Sequence, residues 1–303
     1  MTATPFIRPW YRIGTDFAIN ADDDFGCRWG GKDLDIEDSA DVKSRIVERP
    51  AGPGAYRLRS YPAAKSITLQ GWCTAPDKSS AIAARDRIRG LFPRGEQLTL
   101  TTDDGGDVTT QLVEKVGKVK ISPFNGNSFS WQLPLSANDP RKYSVTTQLG
   151  NTQPQSTTSD GLDWAVVDTG ALVGLDWAVS DGAGSVGLDW GSQQTSGTIT
   201  MANPGNAETW PLFTLYGPLT APVRIISSSG STIAYSLAIA SGDYVVIDCS
   251  PYSRSVLLNG TADRYSALSS AQWIVIPEGG TETVTLAASG SGYMTAAWRP
   301  AKW

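Results

Sequence analysis

The residue types with which proteins do acid–base, nucleophilic or metal chemistry are thinly supplied in this sequence. There is no histidine, which removes the commonest general base and the commonest metal ligand together. The three cysteines, Cys27, Cys73 and Cys249, are scattered and odd in number, a poor basis for a disulfide framework or a zinc site. They read as free thiols in the interior. Serine nucleophile elbows, P-loops and CxxC pairs do not occur. Carboxylates are what remains, with Asp163, Asp176, Asp189 and Asp248 as candidates by type. A glycosidase needs two of them converging across a cleft, which a sequence alone does not show. The expectation is therefore no catalytic residue, no cofactor and no metal, and a protein that is not an enzyme.

A repeated tetrapeptide is the other feature that invites a chemical reading. GLDW occurs at Gly161–Trp164, Gly174–Trp177 and Gly187–Trp190, a fixed spacing of 13 residues. In each copy Leu and Trp share one face of an extended segment and Asp takes the other. An odd spacing flips the face at each copy of a continuous strand, so turns are expected at Asp168 to Gly170 and at Asp181 to Gly184. Short hairpins laying Trp onto a β-sandwich are the plainer reading. A sugar-binding platform of Trp164, Trp177 and Trp190 is the sharper one. A calcium ladder lacks the nonapeptide spacing and paired glycines that it needs.

The scaffold behind these residues is expected to be mainly β and divided in two. A chain of 303 residues exceeds the usual limit of one core. Its low charge and its many Gly, Ser and Thr suit short strands and turns. Residues 1–145 hold 20 Lys+Arg against 18 Asp+Glu, whereas residues 146–303 hold 5 against 12, and such a shift marks a domain boundary. In the first domain, Ser66 to Trp72, Gln97 to Thr101 and Val116 to Ile121 alternate as strands. Between the first two, Ala81, Ala84, Ile88, Leu91 and Phe92 fall at helical spacing within Asp77 to Phe92. Asp77 or Ser79 is the N-cap, and Pro93 with Gly95 ends the helix. From Gly197 onward nine β-prone runs follow at close spacing, including Gln272 to Ile276, and Asn259-Gly260 signals a type I′ hairpin.

Composition also limits partners. A net charge of −5 argues against nucleic-acid affinity, which rests on cationic contacts to phosphate. No apolar run is long enough to span a bilayer. Met1 to Gly14 carries Pro5, Arg8, Pro9 and Arg12 where a secretion signal needs an unbroken apolar stretch, so synthesis in a cytoplasm is expected. Two acidic stretches, Asp22 to Asp24 and Asp33 to Asp41, and the break Arg49 to Gly54 read as solvated excursions. The alternative is an arm reaching a neighbouring subunit, with Asp33, Asp35, Arg49, Tyr56, Arg57 and Arg59 as its contacts.

Several signatures together resemble the distal tail proteins of siphoviruses, particularly those of phages infecting actinobacteria. In the first domain these are the strand, helix and strand run ending in the acidic turn Thr102 to Gly106, and Ser136-Ala137-Asn138-Asp139-Pro140-Arg141-Lys142-Tyr143. In the second they are Gly187-Leu188-Asp189-Trp190, Asn203-Pro204-Gly205-Asn206, Gly217-Pro218-Leu219, Gly242-Asp243, Val256 to Gly260, and Trp273 before Pro277-Glu278-Gly279. The two extra GLDW units depart from the family pattern. The resemblance implies an amino-terminal β-sandwich or split barrel with one α-helix, and a carboxy-terminal galectin-like β-sandwich that includes the repeat segment 161–190. It implies a homo-hexameric ring at the tail tip of the virion, assembled in the host cytoplasm, with the sandwiches outside. Its partners would be the tail tube protein, the tail tip protein and the tape measure protein, with DNA crossing the lumen unbound. A carbohydrate-binding module for host-wall attachment is the alternative function.

Overall fold

The computed structural model describes residues 10–15, 17–32, 35–44, 46–57, 60–154, 166–168, 171–173 and 197–303. The chain is mainly β, with one α-helix among the described residues. It divides into two compact units. The first comprises residues 1–147 with 204–208 and 299–303; the second comprises 148–203 and 209–298.

The first unit is one continuous path of strands around a single core. Its order is Phe17–Ile19, Trp10–Ile13, Leu98–Asp104, Asp107–Lys115, Ser128–Ala137, Lys65–Thr74, Arg28–Gly31 and Ala21–Asp22. The longest pairing joins Lys65–Thr74 to Ser128–Ala137, antiparallel with Leu69 opposite Leu133. Alternation does the sorting: Ile67 and Leu69 on one strand and Phe129, Trp131, Leu133 and Leu135 on the other are buried. Trp29 meets Phe17, Phe129 and Trp131 edge to face at 4.8–6.2 Å, contacts worth about 0.5–1.5 kcal/mol each beyond burial.

The helix Lys78–Gly90 closes this core with Ala81, Ala84 and Ile88. Asp77 caps it, accepting the Ser80 N–H at 2.8 Å. At the hairpin Asp104 to Asp107, Gly105 and Gly106 take the positive φ values, 64° and 104°, that a two-residue turn requires. The stretch expected as a strand from Val116 to Ile121 pairs only from Lys120, as Lys120–Pro123.

The Ser136 to Tyr143 motif is held around Asp139. Its Oδ2 accepts the Tyr143 hydroxyl at 2.5 Å and its Oδ1 accepts the Arg141 N–H at 3.1 Å. Arg141 also bridges to Glu208 at 2.8 Å. Lys142–Ser144 pairs on one side with Thr109 and Thr110 and on the other with Ala301–Lys302. The final residues of the chain are thereby part of the first unit.

The second unit is a two-sheet sandwich. One sheet runs Gln148–Thr152, Tyr293–Trp298, Leu212–Tyr216, Tyr244–Asp248, Ser255–Leu258, Ala262–Asp263; the other runs Thr198–Ala202, Thr281–Ser289, Thr220–Ser227, Thr232–Tyr235, Leu268–Ala271. Phe213, Leu215, Ile247, Met294 and Ala296 from the first pack against Val223, Ile225, Val284 and Leu286 from the second. Asn259 and Gly260 have φ of 52° and 73°, and the Thr261 N–H closes the turn on the Leu258 carbonyl. The run Gln272 to Ile276 is not a strand; Ile274 and Ile276 are buried, but its ladder contact is the single bridge Thr209 to Ile276. The neighbouring strand is Leu268–Ala271. Of the repeat segment, the described part is a short pair, Val166–Asp168 with Ala171–Val173, Asp168 opposite Ala171.

Candidate functional site

Between the strands Arg28–Gly31 and Lys65–Thr74 the chain leaves the first unit's sheet and returns. Val42–Lys43 pairs with Tyr61–Pro62, and Ile46–Glu48 pairs with Ala55–Arg57. The ribbon is built from β-branched and aromatic residues, which favour extended backbone, and is turned by the Pro- and Gly-rich stretch 49–54, where the Arg49 N–H reaches the Gly54 carbonyl at 3.2 Å. Neither strand pair joins a larger sheet. Ile46, Val42, Tyr56 and Tyr61 are 65%, 63%, 56% and 55% exposed, and Val47 is also exposed. A two-stranded ribbon is marginally stable alone. Five large apolar side chains are thus exposed on the two strand pairs.

Of the predicted contact residues, Arg49, Tyr56 and Arg57 lie on this ribbon. The Arg49 guanidinium lies over the Tyr56 ring at 5.0 Å, a cation–π contact. Arg57 ends the strand Ala55–Arg57. Asp35 is half-buried, immediately before Ile36. Asp33 and Arg59 lie outside the described residues, as do Trp164, Trp177 and Trp190.

The acidic run ahead of the ribbon is anchored. Ile36 is buried in the core, Lys65 Nζ donates to its carbonyl at 2.5 Å, and Lys142 pairs with Glu37 at 2.9 Å. Burial and the nearby Lys142 hold the Lys65 amine below its ordinary pKa, against the pull of Glu37 and Asp38. Lys65 lies on the apolar face of its strand, in step with Ile67 and Leu69. That break in alternation is the one sequence signal that marks it.

The other acidic stretch is anchored as well. Asp23 accepts the backbone N–H groups of Phe25 and Cys27 at 2.9 and 2.8 Å, the Trp29 indole at 2.8 Å and Arg87 of the helix at 2.6 Å. Burial alone would raise its pKa; these hydrogen bonds and the Arg87 charge bring it below the ordinary value. Arg87 also covers the Phe25 ring at 4.1 Å. The spacing of Asp23 and Arg87 in the sequence carries no trace of this pairing.

Cys27, Cys73 and Cys249 are buried free thiols, and burial pushes Cys73 and Cys249 up to about 12. Among the described residues no three His, Cys, Asp or Glu side chains are grouped to hold a metal ion. Among those residues, too, no helix is long and apolar enough to cross a membrane. What the first unit offers is surface.

The fold is similar to that of solved phage tail hub and baseplate proteins. It is similar to the Dit (gp 19.1) protein of phage SPP1, described as a paradigm of hub adsorption apparatus in Gram-positive infecting phages. That match has 9% identity and a TM-score of 0.59 and covers 88% of this chain and 91% of that one. It is also similar to a chain of the phage P2 baseplate in its activated conformation with Ca, at 11% identity and a TM-score of 0.51 over 97% and 98% of the two chains. The P2 baseplate with Sr gives a comparable match at 10% identity and a TM-score of 0.50.

Sequence places one segment more narrowly. Residues 204–303 match the family described as siphovirus-type tail component, C-terminal domain. Both comparisons bear out the resemblance to siphovirus distal tail proteins. No curated protein sequence matches the chain.

Proposed function

We propose that the protein forms a homo-hexameric ring at the tail tip of a siphovirus virion, joining the tail tube protein to the tail tip protein. The ring assembles in the host cytoplasm, and the tape measure protein and then DNA pass through it. The first unit, residues 1–147 with 204–208 and 299–303, builds the ring, and residues 148–203 with 209–298 form the galectin-like sandwich. The observation that carries this reading is the ribbon from Val42 to Pro62, with its uncovered apolar side chains. An arm of this kind closes a ring when it packs on the next copy.

The outer face of the strands Lys65–Thr74 and Ser128–Ala137 suits a channel wall. It presents Ser66, Thr68, Gln70, Trp72, Ser130, Gln132 and Ser136, bordered by Lys32 and Lys120. Labelling intact virions with antibodies against the protein tests the location: label at the distal tail end is expected, and label confined to the head or the tail shaft would overturn it.

A further inference from the structure

The charge of the chain is unevenly spread, and two segments hold its opposite extremes. From Val42 to Pro62 the ribbon carries five cations, Lys43, Arg45, Arg49, Arg57 and Arg59, against the single carboxylate Glu48, a net charge of +4. Residues 155–196 carry six aspartates, three of them in the GLDW copies, and no cation, a net charge of −6. The rest of the chain accounts for −3 of the total of −5. The carboxylates nearest the ribbon in sequence do not neutralise it. Asp41 stands at its root, where the Asp41 carbonyl accepts the Ala63 N–H at 2.7 Å, and counting it still leaves +3. Glu37 is paired with Lys142.

The ribbon joins these cations to apolar groups. Val47 lies opposite Tyr56 in the register, both are exposed, and Arg49 covers the Tyr56 ring. Lys43 and Arg49 make no ion pair among the described residues. An occupant that fits must bring carboxylates and apolar side chains together. Charge alone would admit a nucleic acid, but a duplex offers mainly phosphate and sugar to such an arm, and that leaves five exposed apolar side chains without apolar partners. The repeat has both kinds of group. Each GLDW copy sets an aspartate beside a tryptophan, so one guanidinium can meet a carboxylate and an indole face at the same place.

We propose that the ribbon of one copy is the docking site for the acidic repeat segment, residues 155–196, of a neighbouring copy. Lys43 and Arg49 meet its aspartates, and Val47 and Tyr56 meet its leucine and tryptophan side chains. The docking rests on the reading that the ribbon reaches a second copy, and it names what the ribbon meets there. It also gives the extra GLDW units a task that a sandwich core does not require of them.

The test uses the full chain with Arg49→Lys, which keeps the charge and adds a second amine to the ribbon. Isotopically heavy and light copies are mixed in equal parts while dilute, concentrated, and treated with a carbodiimide that joins amines to carboxylates in direct contact. Links from residue 43 or 49 to residues 155–196 are expected in heavy–light pairs, with at least a tenfold lower yield in high salt. A further Val47→Ser/Tyr56→Ser change should lower the yield as much at an unchanged melting temperature. The molar mass of the same samples separates this docking from the ring. Six copies without these links would leave the ring standing and overturn the docking, whereas the links in a smaller assembly would keep the docking and remove the ring. Links confined to single chains, a Val47→Ser/Tyr56→Ser variant that links like its parent, or ribbon amides protected from exchange only when duplex DNA is added would each overturn the docking.

Discussion

The ammonium of Lys65 and the backbone carbonyl of Ile36 meet 2.5 Å apart inside the first unit, tying the acidic turn to the sheet from which the exposed ribbon departs. A buried carbonyl that loses its donor costs about 1–3 kcal/mol. Lys65→Met should therefore free the turn, and amide exchange over Ile36 to Asp41 should quicken at least tenfold. The amine's pKa is lowered in the folded state, so the unfolded chain binds the extra proton. The burial penalty is full below the folded pKa and is relieved as pH rises toward the ordinary value of 10.5. The parent should gain stability as pH rises through this range, and Lys65→Met should not.

Asp23 is the most heavily bonded carboxylate of the first unit, with its side chain 14% exposed. Asp23→Asn keeps the shape but removes the charge that faces Arg87 and leaves too few acceptors for four donors. A loss of about 2–4 kcal/mol in urea unfolding is expected. Its folded pKa lies below the ordinary 3.8. The parent therefore has this stability in full above that value and loses it as pH falls through the folded pKa, a loss absent from Asp23→Asn.

In the second unit Glu282, 4% exposed, gathers the Ser227 and Ser228 hydroxyls at 2.5 and 2.6 Å and the Ser229 N–H at 3.1 Å. These bonds lower its pKa despite a burial that would raise it. Glu282→Leu strands three donors, and a drop of about 2–4 kcal/mol is expected. Glu282→Gln should lose less, because its carbonyl still accepts. Equal losses for the two would contradict the assignment of the stability to hydrogen bonds.

The thiols provide a check that needs no mutation. All three are buried with raised pKa values, and the thiolate is the reactive form. A thiol reagent at pH 8 should leave the native protein unlabelled and modify three sites once it is unfolded. Rapid labelling of any one in the native protein would contradict its burial.

Local pattern carried much of this fold. Ala81, Ala84 and Ile88 at helical spacing behind Asp77 announced the helix, and Asn259-Gly260 announced its turn, because both are written in neighbouring residues. Gln272 to Ile276 misled because alternation records burial, which Ile274 and Ile276 do have, and not ladder pairing, which passes to Leu268–Ala271. The return of residues 204–208 and 299–303 to the first unit has no local signature, since it depends on pairing partners far away in sequence. The ribbon was legible as an excursion, but the exposure of its apolar residues was not.

The central claim is that the ribbon closes a ring, and the molar mass in solution tests it most directly. Light scattering on the parent and on an Ile46→Asp/Tyr56→Asp variant, at matched high concentration with the tail tube protein present as template, separates the outcomes. The parent should form a species containing six copies of the 32.3 kDa chain. The variant should stay monomeric with an unchanged melting temperature, because burying a carboxylate where Ile46 stood costs about 3 kcal/mol per contact, roughly a hundredfold in association. A parent that remains monomeric, or a variant that assembles as the parent does, would contradict the account.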